Sequence, residues 1–166
     1  MFIESTAVTD GIIADRFGAK GIRFTQGGMP SYSIPFEIYE SPEDTVSFAV
    51  IFDDPDAVPA CGFTWVHWLI ADLKRTSVYE NESITTKDYV QGVNSWFSCA
   101  SDLSEKEATG YGGPDPPDGT HTYWLKVHAL DTELGLEDGF RLNDLLKAMN
   151  GHVLAHAKLL AAYSPK

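Results

Sequence analysis

Residues 62–71, GFTWVHWLIA, are apolar along both of the rows that alternate in an extended chain. Phe63, Trp65, His67 and Leu69 form one row; Thr64, Val66, Trp68 and Ile70 form the other. A strand with two apolar rows is expected to lie centrally in its sheet and to be covered on each face. That requirement suits two packed sheets.

Other runs agree with it. Residues 45–52, TVSFAVIF, are β-branched and aromatic, and end against Asp53-Asp54-Pro55-Asp56, where proline removes a ladder donor. Residues 120–130, THTYWLKVHAL, put His121, Tyr123, Leu125, Val127 and Ala129 on one row. Ile34, Phe36 and Ile38 alternate with Pro35, Glu37 and Tyr39, and residues 1–8 read as an opening strand. Residues 10–31 are punctuated by glycines and read as loops; residues 72–119 are mostly irregular, and a connection that long is more often functional than idle. The period then changes. Leu142, Leu145, Leu146 and Met149 recur at helical spacing, with Asn143 or Asp144 near the cap and Asn150-Gly151 as the stop. Val153, Leu154, Ala157, Leu160 and Ala161 read as the apolar side of a second C-terminal helix. Strands first and helices last make a mainly β domain with peripheral helices, of the α+β class.

A chain of 166 residues fits a single domain over residues 1–166. Its 24 acidic against 12 basic residues give a formal charge of −12. That opposes nucleic-acid binding, which needs clustered Lys and Arg, and adsorption to an anionic bilayer. No apolar run approaches the roughly 18 residues of a membrane span. Residues 1–10 lack the basic and apolar regions of a secretory signal, so a cytoplasmic location is expected. Cys61 and Cys99 form neither a zinc framework nor a redox motif and are expected to be reduced thiols.

Two segments carry the chemistry. One is Asp53-Asp54-Pro55-Asp56-Ala57 followed by Trp65-Val66-His67-Trp68; the other runs from Tyr111 to Tyr123, YGGPDPPDGTHTY. Each sets carboxylates or Gly/Pro turns at a strand end, with a histidine just inside the strand. His121 and Tyr123, two apart on a strand, point to one face and offer two convergent hydrogen bonds. Gly112-Gly113 permits close backbone approach and can leave N–H groups free. Asp54 or Asp56 is placed to orient a histidine and favour its cation. Taken singly, each feature has an ordinary structural explanation, His67 as a satisfied core histidine and the DPDA and PPDG stretches as turns. Together they describe a small concave site for an oxyanion.

These segments resemble the two signature regions of the phosphatidylethanolamine-binding protein family, most closely its bacterial and archaeal branch, called Raf-kinase-inhibitor-like. Gly28-Met29-Pro30, DDPDA, VHW, YGGP with PPDG and TH-Y, Ala129-Leu130-Asp131 and GHVLAHAKL occur in the family's order over nearly the whole chain. The resemblance implies a large antiparallel sheet packed with a smaller one and an anion pocket at one end of the sheets. Carried across, the pocket residues are Asp54, Asp56, His67, Gly113, Pro116, Pro117, His121 and Tyr123. Three positions depart from the family pattern. Val58 intervenes before Pro59, Thr122 stands where arginine is usual, and Asp115 replaces a frequent cysteine, which puts a carboxylate at the rim.

The expected function is therefore a non-enzymatic anion-binding protein, its ligand phosphate, a phosphorylated small molecule, a phospholipid headgroup or a phospho-side chain. No cofactor is implied. The resemblance also offers a protein-interaction inhibitor of a kinase or protease, and bacterial relatives suggest a homodimer. A weak hydrolase using the Asp/His cluster ranks last, since no nucleophile or metal set is evident. His152 and His156, four apart on the expected helix, lack a third ligand, and no metal site is expected there.

Overall fold

The computed structural model describes Met1–Lys166. In chain order its elements are β1 (Phe2–Glu4), β2 (Val8–Thr9), β3 (Ile12–Ile13), β4 (Phe36–Tyr39), β5 (Ser47–Asp54), α1 (Val58–Cys61), β6 (Trp65–Leu73), β7 (Ser77–Val78), β8 (Val90–Gln91), β9 (Phe97–Ser98), β10 (Ser101–Asp102), β11 (His121–Leu130), α2 (Leu142–Met149) and β12 (Val153–Tyr163). A seven-stranded sheet runs β2-β3-β12-β11-β5-β6-β8, and a three-stranded sheet runs β1-β4-β7. All pairings in the large sheet are antiparallel except β12 with β3. The large sheet packed with a smaller one is thus present.

The core has two layers because the large sheet is covered on both faces. On one side Ile3, Phe36, Ile38 and Val78 of the small sheet meet Phe48, Val50, Phe52, Leu125 and Val127. On the other, Leu145 and Met149 of α2, with Phe140, cover Ala49, Ile51, Leu69 and Ala71. Every residue of β5 is buried, as a strand between two apolar layers must be. α2 starts where its spacing indicated. Its Asp144 carboxylate accepts from the Arg141 backbone N–H at 3.0 Å, and Gly151 follows Asn150 with φ +87°. No helix is long and apolar enough to cross a membrane. Cys61 and Cys99 are both free thiols.

Two expectations are corrected. The second C-terminal helix is instead the eleven-residue strand β12, paired antiparallel with β11 along its length. Alternate residues Ala155, Ala157, Leu159, Ala161 and Tyr163 pack inward, and the intervening ones are more exposed. Ala, Leu and Lys favour helix locally, but the hydrogen-bonding edge of β11 decides the conformation. The second correction concerns β6. Its pairing with β5 slips between Phe52–Trp68 and Asp53–Val66, so His67 is an inserted bulge residue. Beyond the bulge the faces exchange: Val66 joins Leu69 on the helix side, while Trp68 stays on the small-sheet side. His67 accordingly leaves the row of Leu69 and turns toward Phe52 and Tyr123, with ring centroids 5.5 and 5.1 Å away.

Candidate functional site

The bulge at His67 aims the imidazole into a cavity of about 320 Å³ at the ends of β5, β6 and β11. Asp54, His67 and Tyr123 supply three of its lining side chains, all at most 4% exposed as residues. Ala57, Ala60 and Cys61 form a second wall. Asp54 ends β5 and Pro55 follows it, so the chain turns at once into a short 3₁₀ turn and then α1. Pro116, Pro117 and Asp115 supply a third wall, and Trp65 with Trp96 the remainder. The two signature segments, distant in sequence, therefore meet at one hollow. The long irregular segment also contributes, through Trp96, Ala100 and Asp115.

Each inner group is held by a specific partner. His67 Nδ1 donates to the Gly112 carbonyl at 2.6 Å, while Gly112 N–H donates to the His67 carbonyl at 2.8 Å. Burial pushes the His67 pKa down to about 4, outweighing the carbonyls of Gly112 and Gly113. The ring is neutral at pH 7, and with the proton on Nδ1 its Nε2 is an acceptor. Asp54 Oδ1 accepts from the Asp56 backbone N–H at 2.9 Å and Oδ2 from His121 Nδ1 at 2.7 Å. His121 Nε2 meets Asp118 Oδ1 at 2.8 Å. Burial opposes the His121 charge, but the hydrogen bonds to Asp54 and Asp118 overcome it and raise its pKa. Burial also raises Asp54, so this cluster keeps its proton to higher pH than free side chains would.

The sequence-derived residues thus take different places. Asp54, His67, Pro116, Pro117 and Tyr123 line the cavity. His121 does not offer a free donor, because both ring nitrogens are already bound by carboxylates; it positions Asp54. Asp56 accepts from Thr122 N–H at 2.8 Å and pins the turn to β11. The Gly112 and Gly113 N–H groups are not free either, donating to His67 and Pro30 carbonyls at 2.8 Å each. Gly113 serves close approach instead: a Cβ there would sit 2.3 Å from the Phe17 carbonyl oxygen and 3.0 Å from Pro30 Cβ. Gly113→Ala is expected to cost about 2 kcal/mol by forcing backbone apart, in the range of overpacked cores. Chemical denaturation measures it, and an unchanged midpoint would show that the loop yields freely.

Two donors in the cavity lining have no partner within the chain. The Tyr123 hydroxyl and the Trp96 indole N–H are both buried and unbonded. An unbonded buried polar group costs about 1–3 kcal/mol, so both groups are energetically expensive where they stand, in two side chains of the cavity wall. The sequence marks Trp96 only as a core or rim aromatic, because the irregular segment around it has no period that fixes its direction. Its place is set by Ser95, whose N–H donates to the Val66 carbonyl at 2.8 Å and whose hydroxyl accepts from Val66 N–H at 2.9 Å. An edge-on contact with Trp65, centroids 5.8 Å apart, completes the aromatic wall.

Comparison with known proteins follows the same outline. The family model for phosphatidylethanolamine-binding protein matches residues 4–164. An uncharacterised protein of Bacillus subtilis, YxkA, is 38% identical over 141 residues, covering 82% of this chain and 84% of that protein. The crystal structure of CT736, a phosphatidylethanolamine-binding protein homologue from Chlamydia trachomatis, superposes with a TM-score of 0.79 at 28% identity, covering 99% of this chain and 97% of the other. Escherichia coli YbcL gives 0.77 at 25% identity, with 99% and 98% covered.

Proposed function

The chain belongs to the phosphatidylethanolamine-binding protein family, and from that premise we propose that it is a non-enzymatic binding protein whose cavity takes a partly protonated phosphate group. The observation that carries the reading is the lining itself: Asp54, His67, Trp96 and Tyr123 bring polar side chains to one hollow, and the Tyr123 hydroxyl and the Trp96 indole N–H have no partner within the chain. Two donors and two acceptors around one hollow suit a guest that both accepts and donates. A phosphate monoanion does so: its bare oxygens accept from Tyr123 and Trp96, and its P–OH donates to Asp54 or His67. A dianion is disfavoured, because Asp54 and Asp115 already bring carboxylates to the lining. The volume admits a phosphate and a few further atoms, whether a free small molecule, a headgroup or a phospho-side chain.

Binding without turnover is the reading because the lining offers no free nucleophile. The Cys61 thiol has one hydrogen to donate and two backbone carbonyls within reach, Ala57 at 3.3 Å and Phe63 at 3.2 Å, and His121 is held at both nitrogens.

Calorimetry with inorganic phosphate and with phosphoethanolamine tests the reading. Affinity is expected to rise from pH 8 to pH 6, as phosphate and the Asp54–His121 cluster gain protons. Tyr123→Phe is expected to weaken binding roughly tenfold or more, the worth of a hydrogen bond to a charged group. The same substitution leaves stability unchanged or slightly raised, because it removes an unbonded buried hydroxyl. Equal affinity for wild type and Tyr123→Phe, or no binding by either, would end the proposal.

A further inference from the structure

The correction of the C-terminal helix to a strand separates the two histidines that helical spacing would have joined. His152 leaves to pair with Asp131, Nδ1 to Oδ1 at 2.8 Å. His156 instead lies directly across from His128 in the β11–β12 ladder. Directly opposed residues of an antiparallel pair have Cβ atoms about 4.5–5.5 Å apart on one face, within reach of a shared ligand. Their ring centroids are 6.2 Å apart and the planes are inclined by 35°.

We propose that His128 and His156 form a two-imidazole site for a divalent first-row transition ion of the nickel, copper or zinc class, on the face of β11–β12 away from the small sheet. Imidazole is a preferred ligand of these ions, and metal–nitrogen distances near 2.0–2.1 Å bring two rings to one ion after modest side-chain rotation. His128 is partly buried and His156 exposed, so the ion is reached from solvent. On this face β11 and β12 carry Lys126 and Lys158, the next opposed pair along the ladder, and β5 carries Asp53 opposite Trp124. Both ammonium groups lean the other way. Lys126 is bonded to Asp53 at 2.5 Å, and Lys126 and Lys158 lie 5.3 and 4.6 Å from the Trp124 ring centroid. Trp124 is on the far side of the lysines from the histidines, so the cations are drawn away from the site. On the other flank His128 is opposed by Ala49, and no third His, Cys, Asp or Glu completes the set. Water fills the remaining positions of the ion.

The experiment is calorimetric titration of the full chain with Ni²⁺ at pH 7.5, on wild type, His156→Ala, His128→Asn and His152→Ala. One equivalent is expected to bind wild type and His152→Ala alike. Loss of either His128 or His156 is expected to lower affinity roughly 100-fold, because the second imidazole acts as a tethered ligand. His156 is exposed, so its replacement leaves the fold intact and keeps the result interpretable; circular dichroism verifies this. Cu²⁺ electron paramagnetic resonance gives a second readout, two nitrogen ligands in wild type and one in each variant of the pair. Binding that survives both substitutions, or that depends on His152 or on only one of the pair, overturns the proposal.

Discussion

Acidifying the protein from pH 6.5 to pH 4 is expected to remove about 3 kcal/mol of stability through His67 alone. The folded-state pKa is about 4 against an ordinary 6.5, and each unit is worth about 1.36 kcal/mol. Between those values the unfolded chain binds the proton and the folded one refuses it, so stability rises with pH across the window and is complete above 6.5. The cause is burial: a charged ring would sit against Phe52 and Tyr123 with little water to solvate it. His67→Gln keeps a donor for the Gly112 carbonyl but cannot titrate. The difference between the two proteins' urea-denaturation free energies is expected to change by about 3 kcal/mol over that interval. Parallel pH profiles would show that His67 ionises freely in the folded state. His121 acts with the opposite sign. Its raised pKa gives stability that is whole below 6.5 and is lost as pH climbs through the folded value. Taken together, the two histidine contributions are greatest near pH 6.5.

Asp54→Ala is expected to be the most damaging single change at the site, at about 3–5 kcal/mol. It leaves His121 buried with one of its two partners gone and frees the Asp56 N–H, and breaking a buried ion pair from one side carries costs of that order. Asp54 and His121 are 3% and 4% exposed, so water does not replace the lost bond. Asp118 makes the matching bond from the other side, but its side chain is 55% exposed. Asp118→Ala is expected to cost less than about 1 kcal/mol, as exposed pairs do. Denaturation midpoints for the two variants separate a buried support from a surface one. Similar losses for both would mean that burial does not set the strength of this cluster. Phosphate binding should follow the same order, since Asp54 lines the cavity and Asp118 is absent from its lining.

The sequence was legible where a residue's environment depends on its immediate neighbours. The two-row apolar run 62–71, the β-branched run 45–52 and the alternation in 121–129 all became long strands of the large sheet. The helical spacing of Leu142, Leu145 and Met149 became α2. Pro55 ended β5 and let Asp54 turn inward. The meeting of Asp54, His67, Pro116, Pro117 and Tyr123 followed from recognising the two signature segments, because residues near the ends of neighbouring strands come to one edge of a sheet.

Other features depended on partners distant in the chain. Residues 153–163 have good helical propensity, yet β11 offers a complete row of hydrogen-bonding groups that only a strand can satisfy. Whether His67 faces the cavity rests on a one-residue slip against β5, and a slip of one residue changes the face of every side chain beyond it. Strand alternation offers His121 as a free donor, but a second carboxylate, Asp118, takes the nitrogen that an anion would use. Trp96 came to the wall through Ser95 and Val66, which no local pattern links. The amino-acid sequence by itself determined the long strands before the last, the family and several of the residues that line the cavity, because periodicity, turn chemistry and motif order are written along the chain. Tertiary structure alone decided register, the final strand and which polar groups remain unbonded, because each of those is a competition between segments that meet only after folding.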